Sequence, residues 1–206
     1  SYATLTSTGA GNVTFASTVD GAFSLVVNTS GVTAFDGAGG GTTGLTSLTT
    51  DAGGTTDLNA SLVKTSGAQT YNDAVKLDTN TTLDSSTSGN ITFNSTLDSV
   101  AGETNALFVN TSGTTTFNSL VGNTDRLSTL TTDSGGSTVI NTSSIKTLSD
   151  QTYNDAVILE TNTTLDSSTS GNVTFNNTLN SASAETNSLL ANTSGTTTFN
   201  GAVGST

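Results

Sequence analysis

Apolar residues in this chain stand singly or in pairs among polar ones and recur in a fixed phrase: a glycine, three residues, a large apolar residue, then usually Asn. The phrase reads Gly89-Asn90-Ile91-Thr92-Phe93-Asn94, Gly113-Thr114-Thr115-Thr116-Phe117-Asn118 and Gly171-Asn172-Val173-Thr174-Phe175-Asn176, and returns from Gly195 to Asn200. Weaker copies start at Gly11, Gly31, Gly54, Gly67, Gly136 and, with serine for glycine, Ser149. The apolar members are Phe15, Phe35, Leu58, Tyr71, Phe93, Phe117, Ile140, Tyr153, Phe175 and Phe199. The residue after each is Ala16, Asp36, Asn59, Asn72, Asn94, Asn118, Asn141, Asn154, Asn176 and Asn200, so the amide keeps its register in eight of ten copies. Around each phrase apolar and polar residues alternate: Val13 and Phe15 against Thr14, Ile91 and Phe93 against Thr92. A period of two with β-branched and aromatic residues predicts half-buried strands. Leu25-Val26-Val27, Leu107-Phe108-Val109 and Leu189-Leu190 predict a further short strand per unit, and Gly, Asn, Ser and Asp between them predict turns. No helix is expected, because no stretch holds a helical period and Thr, Asn, Ser and Gly are poor helix formers.

A longer repeat overlies the phrase. Tyr71-Asn72-Asp73-Ala74-Val75 returns as Tyr153-Asn154-Asp155-Ala156-Val157, and Thr81–Ser88 returns unbroken as Thr163–Ser170. The chain divides into the end of a preceding repeat (1–10), repeats at 11–88 and 89–170, and a partial repeat at 171–206. The first repeat is slightly shorter, and the difference falls where the second carries Ser99 to Thr104, which marks a surface loop.

Stacked phrases of this kind predict one all-β solenoid over 1–206, a parallel β-helix of about ten coils of roughly 20 residues. In such a fold each side chain lies over its equivalent in the next coil, about 4.8 Å away. The ten apolar residues then form an internal ladder, and the Asn side chains hydrogen-bond along the stack. The phrase glycines are expected at the opposite corner, where positive φ is free of strain. One spacing fits poorly. Gly54 and Gly67, like Gly136 and Ser149, stand too close along the chain to close a three-sided coil between them. Neither end reads as a polar cap, and a start in mid-pattern without Met suggests a piece of a longer chain or a processed product.

Charge narrows the chemistry. Sixteen acids against Lys64, Lys76, Arg126 and Lys146 give a net charge of −12, which disfavours nucleic acid and anionic membrane surfaces. No apolar run approaches the roughly 20 residues of a membrane helix. Cysteine and histidine are absent, so disulfides, thiolate metal sites and most nucleophile–base pairs are unavailable. Charged residues make up only 10%, and the regular alternation argues against disorder. Two carboxylate pairs, Asp73 with Asp78 and Asp155 with Glu160, are the only candidates for acid–base work, and their recurrence points to surface solvation instead. No catalytic, cofactor-binding or metal residues are assigned. Calcium-roll nonapeptides are missing, which leaves weak calcium bridging between fibres as an alternative. Asn-x-Ser/Thr triplets such as those at Asn59, Asn94 and Asn176 are frequent but follow from composition, and those after a buried residue are expected to be inaccessible. Thr114-Thr115-Thr116 and Thr196-Thr197-Thr198 suggest an ice-binding row, set aside because Asn90, Val32 and Asp57 hold equivalent positions.

The Gly-Asn-Val-Thr-Phe phrases, Asn-Thr-Ser-Gly-Thr-Thr-Thr-Phe, Leu45–Gly54 and Gln-Thr-Tyr-Asn-Asp-Ala-Val resemble the β-strand repeats of giant bacterial surface proteins related to filamentous haemagglutinin. The resemblance covers essentially the whole chain. It implies a right-handed parallel β-helix, export to the cell surface, and adhesion or fibre building. The expectation is therefore a non-catalytic segment of a long extracellular β-helical fibre that associates end to end or laterally, or continues into further repeats. The alternative is an adhesin module whose loops near Val100–Thr104 and Ala184–Asn187 bind a glycan or receptor.

Overall fold

The structure, a computed structural model, describes residues 1–205 and contains twenty-four strands of three to five residues and no helix among them. The strands lie on three faces of a solenoid, and every ladder is parallel. Face 1 stacks β1 (Tyr2–Thr6), β3 (Ser24–Asn28), β5 (Ser47–Thr50), β8 (Gln69–Tyr71), β11 (Ile91–Phe93), β14 (Thr114–Phe117), β16 (Ser137–Ile140), β19 (Ala156–Leu159) and β22 (Leu179–Ser181). Face 2 begins with β2 (Val13–Phe15), β4 (Val32–Phe35), β6 (Thr55–Leu58), β9 (Ala74–Leu77) and β12 (Leu97–Ser99). A single bridging residue, Val121, then joins them to β17 (Ser144–Thr147), β20 (Thr163–Ser167) and β23 (Leu189–Thr193). Face 3 runs through β7 (Leu62–Thr65), β10 (Thr81–Ser85), β13 (Leu107–Thr111), β15 (Leu130–Thr132), β18 (Gln151–Tyr153), β21 (Val173–Phe175) and β24 (Thr197–Phe199). Below β7, face 3 continues as bridges from Gly39 to Val63 and to Val19.

The solenoid makes about nine turns, about 22 residues apart. This agrees with the expected solenoid of about ten coils of roughly 20 residues, although the phrases do not mark the coils one to one. Leu58 ends β6 on face 2, the chain crosses face 3 as β7, and Tyr71 ends β8 on face 1. The closely spaced pair of phrases therefore carries the chain over two faces, not around three.

The same count explains the long repeat. From Tyr71 on face 1 to its copy Tyr153 on face 3 the chain makes eleven face-to-face steps, which is three and two-thirds turns. Each sequence repeat is therefore displaced by one face from its predecessor. Phe15, Phe35 and Leu58 stack on face 2, Tyr71, Phe93, Phe117 and Ile140 on face 1, and Tyr153, Phe175 and Phe199 on face 3.

Alternation along each strand fills the core. In β10 and β20 the pattern is buried, half-buried, buried, half-buried, buried, with Leu83 and Leu165 fully enclosed. Much of the interior is polar and, except for the unpartnered hydroxyls of Thr33 and Thr115, largely satisfied: Thr50, Thr56, Thr65, Gln69, Thr132, Thr138 and Gln151 are each 0% exposed. Their hydroxyls and amides donate to carbonyls and carboxylates of the same or an adjacent turn, as most buried polar groups do. The phrase glycines serve mainly close approach. Among them only Gly54 and Gly136 have positive φ (86° and 79°). At Gly89 a Cβ would run into the backbone of Gly67 in the turn below, so the expected corner role gives way to a contact between turns.

Candidate functional site

The ten apolar phrase residues form three short ladders, and the rings within them stack. Centroids are 4.8 Å apart for Phe15–Phe35 and 5.3 Å for Tyr71–Phe93 and Phe93–Phe117. On face 3, Tyr153–Phe175 and Phe175–Phe199 are each 5.2 Å apart. Phe199, on the last described turn, is 45% exposed, whereas Phe93 is 1%. The amides that follow form matching ladders along the corners. Asn94 Nδ2 donates to Asn72 Oδ1 (2.7 Å), Asn118 to Asn94 (2.8 Å) and Asn141 to Asn118 (3.1 Å). Asn176 donates to Asn154 (2.6 Å) and Asn200 to Asn176 (2.7 Å), while Asn59 donates to Asp36 (2.7 Å). Asn94, Asn141 and Asn176 are exposed, against the expectation that the bend hides them.

Two of these ladders, those on faces 1 and 3, each start from one cassette, Gln69–Asp73, repeated at Gln151–Asp155. Asn72 Nδ2 donates to the Thr50 carbonyl and Asn154 Nδ2 to that of Thr132, both at 2.7 Å, so the lowest amide of each ladder is tied to the turn beneath. Gln69 Nε2 donates to the Val63 carbonyl (3.1 Å) and upward to the Asp84 carbonyl (3.0 Å), while its Oε1 accepts from the Tyr71 hydroxyl (2.9 Å). The cassette thus binds three successive turns.

Asp73 and Asp155 are buried, at 2% and 1% exposure, which corrects the reading of these acids as surface groups. Asp73 Oδ1 accepts from the Thr50 and Thr56 hydroxyls at 2.8 Å, and Asp155 Oδ1 from Thr132 (2.9 Å) and Thr138 (2.8 Å). Burial pushes the Asp155 carboxyl up to about 6; the two hydroxyls and its own backbone N–H pull the other way, and Asp133 adds to the rise. Asp73 is raised for the same reasons, with Asp51 in place of Asp133. Burial, and then the neighbouring aspartate, push the Tyr71 and Tyr153 phenols upward. The partners suggested for acid–base chemistry lie elsewhere: Asp78 and Glu160 are exposed, beyond the far ends of β9 and β19. Sequence reasoning missed this site because the threonines that satisfy each carboxylate lie 17 and 23 residues away.

All four cations are engaged. Lys64 pairs with Asp84 (3.2 Å), Lys76 with Asp98 (3.5 Å) and Arg126 with Asp166 (2.5 Å), while Lys146 Nζ donates to Asn123 Oδ1 (2.7 Å). Among the described residues no three His, Cys, Asp or Glu side chains converge as a metal site. Among them, too, no helix is long and apolar enough to cross a membrane.

The two candidate loops share one construction. Asn105 Nδ2 donates to the Leu77 carbonyl (2.9 Å) and to Glu103 (3.0 Å), while its backbone N–H donates to Ser99 Oγ (3.0 Å). Asn187 repeats this with Leu159 (2.9 Å), Glu185 (2.6 Å) and Ser181 (2.9 Å). The threonine triplets do not lie flat, because Thr115 points inward and is 0% exposed. Outward threonines instead align vertically, Thr49–Thr70–Thr92–Thr116 on face 1 and Thr131–Thr152–Thr174–Thr198 on face 3.

These features define a parallel β-solenoid repeat protein. Compared with known proteins, the chain matches no family model, no curated protein and no solved structure.

Proposed function

We propose that the chain is a structural segment of a long extracellular β-helical fibre, a cell-surface or matrix scaffold without a catalytic site. The observation that carries this reading is the translational character of the core: aromatic, amide and threonine ladders rise from one turn to the next. Such a unit supplies length, about nine turns at roughly 4.8 Å or on the order of 40 Å of rod. The likeness of its phrases to filamentous haemagglutinin-type repeats supports export and a bacterial surface setting. Cofactors have no role in the proposal; the net charge of −12 disfavours nucleic acid and anionic membranes, and the partners proposed are other copies or further repeats of the same chain.

The adhesin reading rests on a different observation, the preformed loops at Val100–Thr104 and Ala184–Asn187, each held by an Asn amide. Immunogold electron microscopy with antibody to this segment separates fibre from soluble protein: label along surface filaments is expected, and label confined to the cell interior would sink the proposal. Glycan-array binding that disappears when both loops are replaced would move the assignment to adhesion.

A further inference from the structure

The charged side chains are distributed unevenly around the solenoid. Face 2 carries Asp57, Lys76, Asp98, Lys146 and Asp166, and face 3 carries Lys64 and Asp84. The nine strands of face 1 carry none, in a chain with twenty charged residues. Acids approach this face at its corners, where Asp51 and Glu160 stand beside the Asn ladder and the buried Asp73 and Asp155 flank β8 and β19. Its central outward column reads, turn by turn, Thr4, Val26, Thr49, Thr70, Thr92, Thr116, Val139, Ile158 and Asn180. Methyl groups therefore line most of its length, and from Val26 to Asn180 each side chain is half-buried between its neighbours in the column.

We propose that face 1 is a lateral docking surface for face 1 of a second copy of this chain, the two rods lying parallel and in register. The fibre reading supplies the biological setting of this pairing, but the contact belongs to the segment itself. Two rods of net charge −12 repel one another, and the charge-free face is where they approach without bringing carboxylates together. A two-fold axis along the rods sets Val26 on Val26, Val139 on Val139, Ile158 on Ile158 and threonine on threonine. Every apolar residue of the column then meets an apolar one.

Eight intervals of about 4.8 Å by a strand width of roughly 10–15 Å give on the order of 400–600 Å² per copy, below the ~800 Å² of a standard stable interface. The pairing of one segment is therefore weak and concentration-dependent, and salt strengthens it by screening the net charge. An association built on ion pairs would respond to salt in the opposite sense.

Sedimentation equilibrium of the 206-residue chain in low and high salt reads the contact directly. Dimer is expected to appear at high concentration and to increase with salt. Thr92→Lys should abolish it, whereas Thr174→Lys, at the equivalent position of the next repeat on face 3, should leave it intact at the same net charge. Circular dichroism checks that both variants keep the strand signal. Because the chain lacks cysteine, Ile158→Cys with a short thiol-specific bifunctional reagent reads orientation: self-linked dimer is expected. Cross-links forming only in a mixture of Val26→Cys and Ile158→Cys chains would overturn the parallel arrangement. Monomer under all conditions, or equal loss with Thr174→Lys, overturns the docking face while leaving the fibre reading to its own microscopy.

Discussion

A buried carboxylate without a cation is the least expected residue of this molecule. Asp73 and Asp155 sit under the start of the Asn ladders on faces 1 and 3 and are satisfied only by hydroxyls and an amide. Removing such a group from water disfavours its charged form, and hydrogen bonds offset the cost only in part. The linkage sign follows. A carboxyl whose folded pKa lies above its unfolded value holds its proton more tightly in the fold, so its stabilising contribution is full in acid. For Asp155 that contribution declines as pH rises from about 4 to about 6 and stays lost above, and for Asp73 it declines in the same direction. The double variant Asp73→Asn/Asp155→Asn should melt higher than the parent at pH 7 and lose the parent's decline between those values. Melting curves at pH 4, 5, 6 and 7 check this; unchanged differences across the series would contradict it. The sequence could not show such a site. An aspartate in a polar chain reads as solvated, and only the winding brings Thr50 and Thr56 to it. The Phe and Asn positions, in contrast, were legible because their partners are copies of the same phrase.

At the level of elements, the strands followed directly from alternation, since a residue's side of the sheet is fixed by its parity in the chain. Their assignment to faces did not. A phrase on face 1 and its copy on face 3 look identical along the sequence, so Leu58 and Tyr71 read as rungs of one ladder although they lie on different sides. Only the short intervals between Gly54 and Gly67 and between Gly136 and Ser149 betrayed the change. Loops obey a looser rule. The turn after β12 carries an insertion that the first repeat lacks, and it closes on itself through Asn105 and Glu103. Excising Ala101–Thr104 should therefore cost little, within about 1 kcal/mol, because loop-closure entropy changes slowly with length and no core residue is lost. Urea titration of the excised chain tests this, and a loss of several kcal/mol would show that the loop braces the corner.

The whole molecule is held by contacts between neighbouring turns, so its stability should scale with turn number. Removing residues 89–170 takes out one whole repeat and joins Ser88 to Gly171, equivalents of Ser170 and Gly89. Every remaining strand then rests on a sequence it already knows, since Phe175 on Tyr71 reproduces Phe175 on Tyr153. The shortened chain is expected to fold as a rod about 18 Å shorter, at roughly 4.8 Å per turn. Small-angle scattering gives the length, and an unfolded product would show that the repeats are not interchangeable. Removing a single turn's length of chain at an arbitrary place preserves the winding but mismatches the ladders, and should be far more damaging.

The step of three and two-thirds turns has a further consequence for how such a rod lengthens. A duplicated repeat adds height and also turns the compass bearing of everything it carries, so the cassette and loops of each new copy look out a third of a circle away from those of the last. Three duplications close the cycle on eleven turns. A gene that grows or shrinks by unequal exchange therefore keeps its fold at every length, while the side it shows to a given neighbour depends on the repeat count modulo three.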